Sequence, residues 1–248
     1  MYRRGVTATI SVLTVAALVS VALALNRAST LTKAVAVTQP SFPAAVSASS
    51  VPLPNSSAAS SAPALPVVAF LGDTYAAGGG ATSRTMRWSS LVATDFGWTE
   101  QNFGIGSTGY STGGTLPGGT PYTARVAALV ATSPSIVIVV GGRADVDVNN
   151  QAAQIKAAVT ATFTALRAGL PTATIVAESP LWASTKPPAM LAQVAADVKA
   201  AVTAVGGRYL DIGQPLVGTP ANIGPNPALP NDAGYAALAA AFEAAYRS

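Results

Sequence analysis

The residues able to do chemistry in this chain sit in four short blocks. They are Gly72-Asp73-Thr74-Tyr75, Gly104-Ile105-Gly106-Ser107-Thr108-Gly109-Tyr110, Gly141-Gly142-Arg143-Ala144-Asp145 and Asn226-Pro227-Ala228-Leu229-Pro230-Asn231-Asp232. They offer hydroxyls, carboxylates, backbone amides and one guanidinium. A hydroxyl such as that of Thr74 is a weak nucleophile until a neighbouring base takes its proton. The usual base is excluded here, because none of the 248 residues is a histidine. None is a cysteine either, so thiol catalysis, disulfides and thiolate metal sites are excluded as well. The bases that remain are carboxylates: Asp73, Asp145, Asp147 and Asp232.

The blocks must be held by a scaffold, and the chain alternates strand and helix signals to provide one. Short runs at Val67–Leu71, Trp98–Phe103, Ser135–Val140, Thr174–Ala177 and Arg208–Ile212 predict five strands, the first, third and fourth of them largely apolar. Helical spacing of apolar residues predicts helices over Met86–Phe96, Tyr122–Thr132, Gln151–Ala168, Pro188–Val205 and Asp232–Tyr246. Strands that are apolar throughout and alternate with helices imply a parallel sheet covered on both faces. The fold class expected is therefore α/β, a three-layer α/β/α sandwich around a five-stranded parallel sheet. In such folds the active loops leave the carboxyl ends of the strands. The first three blocks follow the first three strands, and the fourth precedes the last helix.

Upstream of this domain, residues 5–25 carry no charge and are long enough to cross a bilayer as a helix. Arg3 and Arg4 precede the span, which orients the N-terminus to the cytoplasm and the domain outside. The expectation is an N-terminal signal anchor over 1–33 and a single-pass membrane protein. A cleaved, secreted form is the alternative, with a small-x-small site at Ala22-Leu23-Ala24. Residues 34–66 are rich in Ser, Ala and Pro without a charge, and read as a disordered linker to the domain at 67–248.

Charge narrows the function further. The net charge is +4, and the whole excess comes from Arg3, Arg4, Arg27 and Lys33 around the apolar span. The domain itself is neutral, so a nucleic-acid surface is not expected. Glycine-rich stretches at 78–80 and 113–119 lack the Lys-Ser/Thr ending of a phosphate loop and read as cleft walls. No cofactor and no metal are expected.

The order of the four blocks on the strand ends resembles the SGNH/GDSL hydrolase superfamily over nearly all of residues 67–248. The third block, Ser179-Pro180-Leu181-Trp182 and Pro230-Asn231-Asp232-Ala233-Gly234-Tyr235 resemble secreted actinobacterial members. The resemblance implies an esterase-like fold with a serine nucleophile, oxyanion donors from a glycine and an asparagine, and an Asp-x-x-His acid and base. Carried over position by position, the functional groups are degenerate. The nucleophile position is Thr74. The oxyanion glycine falls at Gly106 or Ser107. The oxyanion asparagine is replaced by Ala144, the acid by Asn226 and the base by Leu229.

Two classes of function follow. One is a membrane-tethered domain of this shape that no longer hydrolyses and instead binds or regulates at the cell envelope, its partner a glycan, a lipid or another envelope protein. A pure assembly role of the tether is a variant of it. The other is an active esterase or acyltransferase with Thr74 as nucleophile and an Asp as base. Asp73, Tyr75, Arg143, Asp145 and Trp182 are the candidate binding residues. Asp73, Asp145 and Asp232 also have structural readings, as turn, loop and helix-start carboxylates. Tyr75, Tyr110, Trp182 and Tyr235 either line a sugar cleft or pack in the core.

Overall fold

The computed structural model describes residues 64–146, 151–183 and 185–248. The expected membrane span at 5–25, nearly all of the linker at 34–66, and Asp147 lie outside the described residues. No helix among the described residues is long and apolar enough to cross a membrane.

Five strands form one parallel sheet in the order β2-β1-β3-β4-β5. They are β1 Val67–Gly72, β2 Thr99–Gly104, β3 Ile136–Val140, β4 Thr174–Glu178 and β5 Arg208–Leu210. The central strands β1, β3 and β4 are buried nearly throughout, as their β-branched, apolar sequences require. β2 is an edge strand with a polar sequence, half-buried along most of its length. Its Glu100 takes Ser89 and Ser90 hydroxyls and pairs with Arg87, which gives this edge partners other than a second sheet.

Among the described residues, seven α-helices connect and cover the strands: α1 Thr74–Ala77, α2 Trp88–Phe96, α3 Tyr122–Val130, α4 Arg143–Val146, α5 Ala152–Gly169, α6 Ala189–Ala204 and α7 Asp232–Arg247. On one face, α3, α5 and α6 pack on Ala69, Leu71, Val137, Val139 and Ile175. On the other, α1, α2 and α7 pack on Val68, Phe70, Ile138, Val140 and Val176. The alternation within each strand sends neighbouring residues to opposite faces, so each strand supplies both cores. Trp88 anchors the second core, with ring centroids 5.3 Å from both Phe70 and Phe242.

The expected sandwich and all five strands are present, with boundaries shifted by a residue or two. Two elements were read as loop from the sequence. α1 and α4 are single turns directly after β1 and β3, too short for apolar periodicity to reveal them. α7 is capped by the side chain of Asn231, which accepts from the Gly234 amide. Asp232 stands in the first turn of that helix, as expected, and also accepts from the Thr82 amide (2.9 Å) and hydroxyl (2.6 Å).

The strand order places the reversal between β1 and β3. From β1 the chain crosses to β2 on one side, then returns to β3 on the other. Loops leaving β1 and β3 therefore diverge and open a crevice at the carboxyl end of the sheet. At that end the two strands approach closely. A Cβ on Gly72 would stand 2.6 Å from the carbonyl oxygen of Val140, so only glycine fits.

Candidate functional site

The crevice is a cavity of about 460 Å³ lined by Asp73, Thr74, Ser107, Thr112, Gly114, Thr115, Arg143 and Ala144. That volume is in the range of small-molecule sites. Three of the four sequence blocks contribute to its wall.

Thr74 opens α1, immediately after the buried end of β1. Its hydroxyl oxygen accepts a hydrogen bond from the Ser107 amide at 2.8 Å. Ser107 holds φ at +60°, a left-handed conformation that costs a non-glycine residue energy and recurs at functional sites. Of the two residues carried to the oxyanion position, Ser107 is the donor. Gly106 stands beside it, and a Cβ there would lie 3.7 Å from the Thr74 hydroxyl.

The loop that presents Ser107 is fixed from below by two buried charged groups. Arg125, on α3, donates to the carbonyls of Gly72 (2.9 Å) and Phe103 and to the Thr108 hydroxyl (2.9 Å). It thereby ties the ends of β1 and β2 to the Ser107 loop. Asp145 accepts from the Tyr110 and Ser111 amides, both at 2.8 Å, and from the Ser111 hydroxyl at 2.6 Å. It is fully buried, so it holds the loop and does not reach a ligand. Burial moves the Asp145 carboxyl up from its ordinary value, against the pull of those donors.

The base position is apolar. A Cβ on Gly79 would lie 2.5 Å from Thr74 Cγ2 and 3.6 Å from Leu229 Cδ2, so both side chains border the same point. Leu229 is half-buried against the second core. Its turn is well formed. Asn226 accepts the Ala228 amide at its side chain (3.0 Å) and the Leu229 amide at its carbonyl (2.9 Å). Tyr75 donates its hydroxyl to Ala228 at 3.0 Å, locking the turn to α1. Asn226 itself is exposed and turned to its own backbone. Asn226 and Leu229, the residues that the family resemblance places at the acid and base positions, thus share one ordered turn.

Asp73 is the nearest carboxylate in sequence to Thr74. One oxygen accepts the Tyr75 amide at 2.9 Å, and no hydrogen bond joins it to the Thr74 hydroxyl. Burial raises its pKa to about 6, against the lowering effects of that amide and of Arg143. Ala144 presents a methyl group where an amide donor would stand. Arg143 lies between aromatic rings, its guanidinium 5.8 Å from the Tyr75 centroid and 5.1 Å from that of Trp182. Tyr75, Tyr110 and Tyr235 are core residues. Trp182 is half-buried and pinned by Gln214, which accepts its backbone amide at 2.8 Å.

One buried carboxyl was absent from the sequence candidates. Glu178, at the end of β4, is fully buried, and neither of its oxygens has a hydrogen-bond partner among the described residues. Burial, reinforced by the charge of Asp73, holds its pKa well above the ordinary value. Its position at a strand end is visible in the sequence, but its burial is not.

Comparison with known proteins agrees with this geometry. The GDSL-like Lipase/Acylhydrolase family matches residues 70–237. A member of the lipolytic G-D-S-L family from Veillonella parvula superposes with a TM-score of 0.58 at 11% identity, covering 74% of this chain and 99% of its own. A family two carbohydrate esterase from Clostridium thermocellum, solved with cellohexaose, gives 0.58 at 15% identity, covering 75% and 66%. The acetyl xylan esterase Est2A from Butyrivibrio proteoclasticus gives 0.57 at 16%, covering 75% and 64%. No curated protein matches the chain by sequence.

Proposed function

Because the chain belongs to the GDSL-like lipase/acylhydrolase family, we propose that it retains the family's cleft as a binding site and has lost hydrolysis. The observation that carries this reading is the surroundings of the Thr74 hydroxyl. It receives an amide proton from Ser107 and has no acceptor for its own proton among the described residues, while Leu229 fills the base position. A positioned general base contributes about 10²–10⁴-fold to rate. Removal of one oxyanion donor, here the amide replaced by Ala144, costs about 10²–10³-fold more. Together these losses bring ester cleavage close to the uncatalysed rate.

The binding role we propose is at the cell envelope, with the domain held outside the membrane by the apolar span at 5–25. The ligand class that fits is a glycan. Hydroxyls of Thr74, Ser107, Thr112 and Thr115 line the cleft, and its volume suits one or two sugar units.

The test is turnover of short-chain nitrophenyl esters by the full-length chain in detergent. Background rates are expected, unchanged by Thr74→Ala. Combining Thr74→Ser, Ala144→Asn, Asn226→Asp and Leu229→His is expected to create turnover. Activity of the natural chain that Thr74→Ala abolishes overturns the reading. The second reading, an active enzyme with Asp73 as base, draws on the raised Asp73 pKa near 6. It requires a rate that rises through that pH and is lost in Thr74→Ala.

A further inference from the structure

We infer that Arg143 is an anion-recognition group, and that the cleft takes a small hydroxylated molecule bearing an oxyanion, an acidic saccharide unit. This deepens the binding reading above and rests on it.

The argument starts from what arginines do elsewhere in the domain. Arg125 has three oxygen acceptors, and Arg167 donates to four backbone carbonyls. Arg87 pairs with Glu100 and donates to Arg84 and Ser90. Like Arg87 and Arg167, Arg143 is half-buried. Yet it forms no hydrogen bond or salt bridge among the described residues, and its Nε is buried without a partner. A guanidinium carries five donors in a planar fork. Drawing it partly out of water without an acceptor is unfavourable unless something else supplies one.

Two aromatic faces hold it in place. Tyr75 and Trp182 approach at 5.8 and 5.1 Å, within cation–π range. Those faces attract the charge but accept no N–H···O bond. The side chain is thus oriented by stacking, and Arg143 lines the same cleft as Thr74, Ser107, Thr112 and Thr115. Asp73, the one carboxylate on the wall, uses an oxygen on the Tyr75 amide. It lies within electrostatic reach of the guanidinium without hydrogen-bonding to it.

An arginine so placed recognises a planar carboxylate or a phosphate through two parallel hydrogen bonds. The neighbouring hydroxyls of Thr74, Ser107, Thr112 and Thr115 match sugar hydroxyls. Ala144 contributes to the fit, because its methyl leaves room beside Arg143 that an asparagine side chain would occupy.

The experiment is calorimetric titration of the full-length chain with glucuronate, glucose 6-phosphate and glucose. At least about tenfold preference for one of the charged sugars over glucose is expected, and their order identifies carboxylate or phosphate. Arg143→Gln is expected to remove that preference, and Arg143→Lys to restore part of it. Equal binding of charged and neutral sugar, no binding of any of them, or a preference that survives in Arg143→Gln overturns the inference. If Arg143 served only to balance Asp73, Arg143→Gln would shift melting temperature and leave charge preference unchanged. Ester turnover in the same preparation judges the non-hydrolytic reading separately. An active enzyme that prefers glucuronate keeps the anion site, whereas an inert protein without preference removes the anion site alone.

Discussion

The Ser107 amide points at the Thr74 hydroxyl across 33 residues of sequence, at 2.8 Å. The bond requires Ser107 to hold φ at +60°. A β-branched side chain in that conformation is strongly disfavoured, while glycine is at ease there. Ser107→Val is therefore expected to destabilise the domain by about 1–3 kcal/mol. Ser107→Gly is expected to stay within about 1 kcal/mol of the natural chain. Urea unfolding of the two variants side by side checks this, and equal midpoints would remove the claim of a locally enforced backbone.

Asp145 and Gly109 form a second coupled pair. The carboxylate collects three donors from the loop that follows Gly109, and a Cβ on Gly109 would overlap that carboxylate. Asp145→Ala leaves buried donors unpaired and is expected to cost about 3 kcal/mol or more. Gly109→Ala is expected to be costly for a different reason, since it drives a methyl into the same space. The double variant Gly109→Ala/Asp145→Ala should then cost less than the two single changes together. Chemical denaturation of the full cycle measures that coupling, and strict additivity would contradict it.

Glu178 and Asp73 give the fold a pH dependence of defined sign. Both carboxyls have pKa values raised by burial, Asp73 to about 6 and Glu178 well above its ordinary value. Below about pH 3 each is largely protonated in folded and unfolded chains alike, and neither favours one state. As pH rises, the unfolded chain releases these protons first, so stability falls. For Asp73 the loss is about 3 kcal/mol, complete once pH has passed the folded value. Arg143 and Asp145 act on Asp73 in opposite directions and do not reverse the sign. Glu178→Gln removes one ionisation. The variant is expected to match the natural chain near pH 4 and to exceed it in melting temperature near pH 8. A natural chain no less stable than the variant at pH 8 would show that Glu178 finds a partner on folding.

Much of this molecule was legible in its residues because the signals are local. Val67–Leu71 and Ile136–Val140 read as buried strands since every residue in them is apolar. The family resemblance is equally local: it places Thr74, Ala144, Asn226 and Leu229 at the family's functional positions, and a chain without histidine leaves carboxylates as the candidate bases. Trp98 to Phe103 was read one residue early because β2 is a polar edge strand whose ends have no apolar boundary.

What only the tertiary structure decided depends on partners far apart in the chain. Arg125 belongs to no motif, yet it ties Gly72 to Phe103 and Thr108, which meet only when β1 and β2 pair in register. Asp145 has a binding and a loop reading in the sequence, and its three donors from Tyr110 and Ser111 assign it to the loop. Glu178 is buried without a hydrogen-bond partner among the described residues, which its place at the end of β4 does not announce. Arg143 is a stacked cation, unpaired among the described residues, because Tyr75 and Trp182 converge on it from either side of it in the sequence. Composition and periodicity specify elements, since those arise from neighbours along the chain. Hydrogen-bond partners, burial and charge environment arise from neighbours in space, and the parallel register at the switch between β1 and β3 is what assigned them.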